Sequence, residues 1–246
     1  MSFQSQTYHS TVYRNFRNID AVAYRRIVRY YERYEKDIAQ LDFEESFELL
    51  VTYTHSLFEI GEYRKHLSMA DKVISISILQ NVTVVKGQEV YDSTLFRKAA
   101  SHYNLQEYAP SKHILEELIK MNPYNTLATR LLVRVLRDDK PAHIRHARAT
   151  SIFLYLLSAI IICIEVLFVK PFYSHYGFSV EVLRNMVFFI GVLVLVGSEL
   201  WHRWKAFQYV NHFQENVKKF KALKKLRNLT ELSNLRDVTR LDNTKL

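Results

Sequence analysis

The chain has 246 residues, 48% hydrophobic and 24% charged, with a formal net charge of +9, which is enough for one or two domains and a sizeable core. Its basicity is a tail and not a face: residues 1–140 hold 19 Lys+Arg against 18 Asp+Glu, residues 201–246 hold 11 against 4. That distribution argues against a protein-wide nucleic-acid surface, and the single Cys163 excludes an internal disulfide or a cysteine-based zinc site within one chain.

The opening MSFQSQTYHS lacks the charged-then-apolar pattern of a signal peptide. Five glycines and four prolines in the whole chain point to long helices and short connections. Residues 20–41, DAVAYRRIVRYYERYEKDIAQL, read as one helix, because Ile27, Tyr31, Tyr34, Ile38 and Leu41 recur three and four apart. Arg25, Arg29 and Arg33 form a second line, interleaved with Tyr24 and Tyr30. Such a face can contact phosphates or stack on bases. Glu32, Glu35 and Asp37 stand beside it, and a solvated face is the plainer reading.

The next segments echo each other. FELLVTYTHSLFEIGEYRKHLSMADKVI (47–74) and DSTLFRKAASHYNLQEYAPSKHILEELI (92–119) align without a gap, each as helix, tight turn, helix. Asn122–Pro123 then stops one helix before another starts, and NVTVVKGQEVY between the units reads as a short hairpin or ordered loop. With Gly61 and Tyr63 in the first turn, and Ala99, Tyr108 and Pro123 in the second unit, residues 43–138 resemble tetratricopeptide repeats. Three features depart from that pattern: His66 and Ser111 replace the family's alanine, Gln106 replaces the turn glycine, and the spacing is 45. The resemblance implies a short helical solenoid whose groove takes a cytoplasmic protein partner.

Residues 149–169, ATSIFLYLLSAIIICIEVLFV, form a run long enough to cross a hydrocarbon core of roughly 30 Å. Residues 185–204 form a second, with Trp201 and Trp204 as an interfacial belt. The competing reading is a pair of buried helices in a soluble core. Basic residues flank the first run on its N-terminal side and the second on its C-terminal side, whereas the loop between them is poor in charge. The positive-inside rule therefore places both termini in the cytoplasm. Glu165 then lies near the outer interface and Glu199 near the inner one. Arg184 or Lys170 is the expected partner of Glu165, and Arg145, Arg148 or Arg203 that of Glu199. Either the acids are neutralised locally, or they face other protomers and ring a polar path.

After Trp201 the helical pattern continues: Val210, Phe213, Val217, Phe220, Leu223 and Leu226 make an apolar stripe opposite Lys218, Lys219, Lys221, Lys224 and Lys225. A helix on an anionic inner leaflet fits this pattern; association with other helices is a second reading, and nucleic acid a weaker third. A hairpin followed directly by a basic amphipathic helix, over about residues 141–235, is similar to the SLATT-type two-transmembrane effectors of bacterial conflict systems. That resemblance implies oligomeric pores gated by an N-terminal sensor.

No phosphate-cradling glycine loop and no triad or paired-acid spacing is present. His143 and His146 lack a third ligand close in sequence. We therefore expect no enzyme, no cofactor and no metal. The sequence predicts an all-α integral membrane protein of a bacterial inner membrane, with three parts: a cytoplasmic helical-repeat domain (1–140), a hairpin (141–204) and a basic tail (205–246). Its expected partners are the bilayer, a cytoplasmic protein and further copies of itself. The expected role is a membrane-anchored interaction module, with an oligomeric pore-forming effector of antiviral defence as the alternative.

Overall fold

The structure is a computed structural model that describes residues 11–85, 87–139, 142–169, 171 and 177–243, with backbone alone at 88, 142–143 and 228–243. The described chain is all-α apart from one two-residue hairpin, and it divides into two compact units, Met1–Val135 and Leu136–Leu246.

The first unit holds α1 (Thr11–Arg17), α2 (Tyr24–Arg33), α3 (Glu35–Ile38), α4 (Phe43–Glu59), α5 (Tyr63–Leu79), α6 (Val90–Asn104) and α7 (Tyr108–Met121). Helix α8 (Thr126–Asp138) follows. The single helix expected over 20–41 is two helices. Tyr34, at φ −109° and ψ 22°, interrupts it, and its N–H still reaches the Tyr30 carbonyl. The break lets Ile27 and Ile38 join Tyr13, Phe16 and Leu49 in one apolar cluster. A second cluster holds Val28, Tyr53 and Leu57. Tyr31 stacks on Tyr53 at 4.1 Å, and the Tyr53 hydroxyl donates to Glu32, so α2 is fixed on α4 by both a ring face and a polar contact.

Helices α4 to α7 each lie against the next. Their turns share one geometry. Gly61 has φ +83° and Gln106 has φ +63°. In both, the following N–H reaches back five residues, Glu62 to Leu57 and Glu107 to His102. This is the Schellman ending, which needs a left-handed residue. Asn81, at φ +52°, ends α5 in the same way, with Val82 N–H on the Ser77 carbonyl. The insert forms β1 (Val84–Val85) and β2 (Gln88–Glu89), paired antiparallel around Gly87. It places Val85 against the cluster of Phe47, Val73 and Val90.

In the second unit α9 (Ala142–Ile164) passes into a π-helical turn, Glu165–Val169, and α10 runs unbroken from Gly177 to Asn243. The two helices form an antiparallel hairpin: Arg148 meets Glu199, Tyr155 meets Gly191 and Glu165 meets Arg184. A Cβ added at Gly191 would stand 3.0 Å from the Tyr155 ring, so glycine sets the close approach there. Ser151 and Ser158 are buried along the same helix, as small residues are where membrane helices meet.

Both helices are long and apolar enough to cross a membrane, over Ile144–Val169 and within Gly177–Arg227. Only 11% and 6% of their most apolar windows are buried. Buried core helices have their side chains covered by protein, and the described chain does not cover these two.

Candidate functional site

Glu165 opens the π-helical turn and is 3% exposed, although its neighbours Val166, Leu167 and Phe168 are open. Arg184 of α10 donates to it from Nη1 at 2.8 Å. The same guanidinium lies 3.7 Å from Glu181 and reaches Asn185 at 3.3 Å. A carboxylate in apolar surroundings persists only when paired and hydrogen-bonded, and these contacts supply both. Lys170, the other expected partner, lies outside the described residues.

At the other end Glu199 receives Arg148 Nη2 at 3.2 Å and lies 3.7 Å from Arg203 on its own helix. Arg145 is exposed and makes neither contact. Glu199 is fifteen residues beyond Arg184 on α10, about 22 Å along its axis. The two acids are therefore separate sites, each joined to an arginine of the opposite helix. Beside Glu199, His202 is buried with Nε2 at 3.2 Å from the Arg137 carbonyl. Trp201 and Trp204 stay exposed, their rings 5.3 Å apart.

Further along α10, Lys219, Lys221, Lys224 and Lys225 are exposed and Lys218 is half-buried. Phe220, Leu223 and Leu226 are exposed as well. Val210, in contrast, is fully buried. Arg25, Arg29 and Arg33 all face solvent. Arg29 and Arg33 border a shallow depression with Arg26, Tyr30 and Tyr34, and no deeply buried donor stands among them.

The first unit also holds a cavity of about 460 Å³ that sequence reasoning missed. Phe16, Tyr24, Ile27, Val51, Val85 and Val90 supply its apolar wall. His55, His66 and Arg97 supply a polar one, in which the guanidinium is the cation, and Arg17 also lines the cavity. Arg97 Nη2 is 3.0 Å from His55 Nε2, which also lies 3.1 Å from Glu59. A guanidinium only donates and a carboxylate only accepts, so His55 satisfies one of them at a time. Burial and Arg97 both push His55 below the ordinary imidazole value, favouring the neutral ring that accepts from Arg97. Arg97 itself is lowered by burial.

His66 is fully buried, and burial with Arg97 nearby lowers it to about 4. Its Nδ1 lies 2.8 Å from the buried Ser101 Oγ, while Nε2 is buried with no hydrogen-bond partner. The one sequence signal was that His66 stands where the repeat pattern has alanine; nothing in the spacing linked it to His55 and Arg97, 31 residues further on.

Among the described residues no group of three or more His, Cys, Asp or Glu is placed to hold a metal ion. No protein-family model, curated protein or solved structure matches this chain.

Proposed function

We propose that the chain is a membrane-anchored interaction module. The hairpin holds it in a bilayer with both termini in the cytoplasm, and the helical domain engages a soluble protein partner. The observation that carries this reading is the pairing of Glu165 with Arg184 and of Glu199 with Arg148 inside one hairpin. An acid neutralised by its own hairpin needs no second protomer to make it tolerable in lipid. A ring of hairpins around a polar path would instead turn such acids toward neighbouring copies.

The helical domain is read as a short tetratricopeptide-like solenoid. Two helical pairs whose left-handed turn residues stand 45 positions apart support that reading. Stacked helical pairs present a groove suited to protein partners. The basic tail lies along the anionic inner leaflet, and the flanking arginines and lysines orient the hairpin by the positive-inside rule. A bacterial inner membrane would supply both conditions.

Mass photometry of the full chain in lipid nanodiscs tests this directly. The module reading predicts one or two copies per disc and no dye leakage from liposomes that carry the protein. A discrete larger ring with leakage would replace it with the pore-forming effector.

A further inference from the structure

We propose that the cavity of the first unit is a binding site for a small organic anion, a phosphate or carboxylate borne on an aromatic or apolar body. Arg97 and His66 Nε2–H would hold the anionic oxygens, and the apolar wall would hold the body. The inference goes beyond the proposed tethering role and does not depend on the membrane.

Two independent features of the cavity support it. The first is the buried imidazole. Ser101 is fully buried, and the contact its hydroxyl makes is to His66 Nδ1. A buried hydroxyl puts its hydrogen to use. It therefore donates to Nδ1, and in the neutral ring the hydrogen then sits on Nε2. Burial of an unsatisfied donor is costly, so an Nε2–H kept without an acceptor is a group prepared for a ligand oxygen. The second feature is Arg97. Its contacts are the His55 ring and the Ser93 carbonyl, and it forms no ion pair among the described residues, although it is half-buried. Buried charges are ordinarily paired. Glu59 is near enough to favour the Arg97 charge but makes no ion pair with it among the described residues, so both donors lack a directly bound anion, and both line one cavity.

The other polar wall residues narrow the ligand further. The Thr52, Thr54 and Ser93 hydroxyls already donate to the carbonyls of Glu48, Leu50 and Val90. They can accept but have no hydrogen left to offer a ligand, so the donors left on the lining are Arg97 and His66, with Arg17 and the Thr94 hydroxyl beside them. A ligand with one compact anionic group fits that donor set better than one bristling with hydroxyls. Tyr24, which meets the His55 ring edge-on at 6.0 Å, offers an aromatic surface to the body. A volume of about 460 Å³ lies in the range of small-molecule sites. The exposed Arg25, Arg29 and Arg33 have neither the enclosure nor a buried donor.

The test is calorimetric titration of the full-length protein in detergent with phenyl phosphate, benzoate and adenosine monophosphate. Inorganic phosphate and phenol serve as the head and the body alone. At least one of the three bipartite anions should bind at or below about 1 mM, at least tenfold more tightly than either fragment. Arg97→Gln should weaken that binding at least tenfold, and His66→Phe should weaken it while keeping the ring volume. Imidazole nitrogen signals of His66, followed in the wild-type protein, keep the test decisive if either variant misfolds: they should shift on addition of the bipartite anion. No binding by any of the three up to about 10 mM would overturn the proposal, as would binding that leaves the His66 signals unmoved. Neither result bears on the nanodisc stoichiometry that tests the anchoring role.

Discussion

Glu165 and Arg184 illustrate how unequal the two halves of an ion pair are when one is buried. The acid is 3% exposed, whereas the arginine retains some access to solvent and touches Glu181 and Asn185 as well. Removing the arginine strands a carboxylate in apolar surroundings; neutralising the acid leaves an arginine that still has partners. Arg184→Leu should therefore destabilise the hairpin by about 3 kcal/mol, and Glu165→Gln by much less. The double substitution should recover most of the loss. Thermal unfolding of the three variants in one detergent checks the order, and a double variant no better than Arg184→Leu would contradict the pairing. His66 supplies a second residue-scale test, in the first unit. Its folded value, about 4, lies below the ordinary 6.5, so below pH 6.5 the unfolded chain takes up a proton that the folded one refuses. Stability is fully present above that pH and falls as pH drops toward 4, by on the order of 2–3 kcal/mol. Arg97, His55 and His102 are the charged or titratable groups that depress it. Hydrogen exchange of α5 amides should accelerate over that window, and His66→Phe should flatten the dependence.

At the scale of elements, the turns decide where the helical pairs end. A side chain at Gly61 would meet nothing within 4 Å, so the whole cost of replacing it is the left-handed backbone. Gly61→Ala should cost about 1 kcal/mol. Gln106 already bears that strain at φ +63°. Gln106→Gly should be neutral or stabilising by up to about 1 kcal/mol, because relief of strain is partly offset by the greater freedom of an unfolded glycine. Urea unfolding of the full chain in detergent, read from tyrosine signals, separates the two signs. These elements also show what was legible in the sequence. The 45-residue echo located both turns, since a helix that must stop declares itself through local chemistry. The apolar runs located both membrane-length helices, and flanking charge named Arg184 and Arg148 among the candidate partners of the two acids. The break at Tyr34 was hidden, because Ile27, Tyr31, Tyr34 and Ile38 keep a helical period across it and tertiary contact with α1 and α4 sets the angle. The cavity was hidden for the same reason: His55, His66 and Arg97 come from three helices, and single-sequence periodicity carries no information on which helices face each other.

At the scale of the whole molecule, the two units differ in how much apolar surface they leave open. The first unit buries tyrosines and aliphatics in ordinary protein clusters, while the second leaves Ile152, Phe153, Leu156, Phe189 and Leu193 open along its helices. Apolar rods exposed to that degree are stable in lipid and are an aggregation hazard in water. The account stands on those rods crossing a bilayer with both ends on one side. Cysteine accessibility measures this most directly. In a Cys163→Ser background, single cysteines at Ala39, His175 and Gln214 would be challenged with a membrane-impermeant maleimide in intact cells and again after permeabilisation. The account predicts labelling at position 175 from outside, and at 39 and 214 only once the membrane is opened. Labelling of 39 or 214 in intact cells, or protection of 175 until permeabilisation, would contradict it.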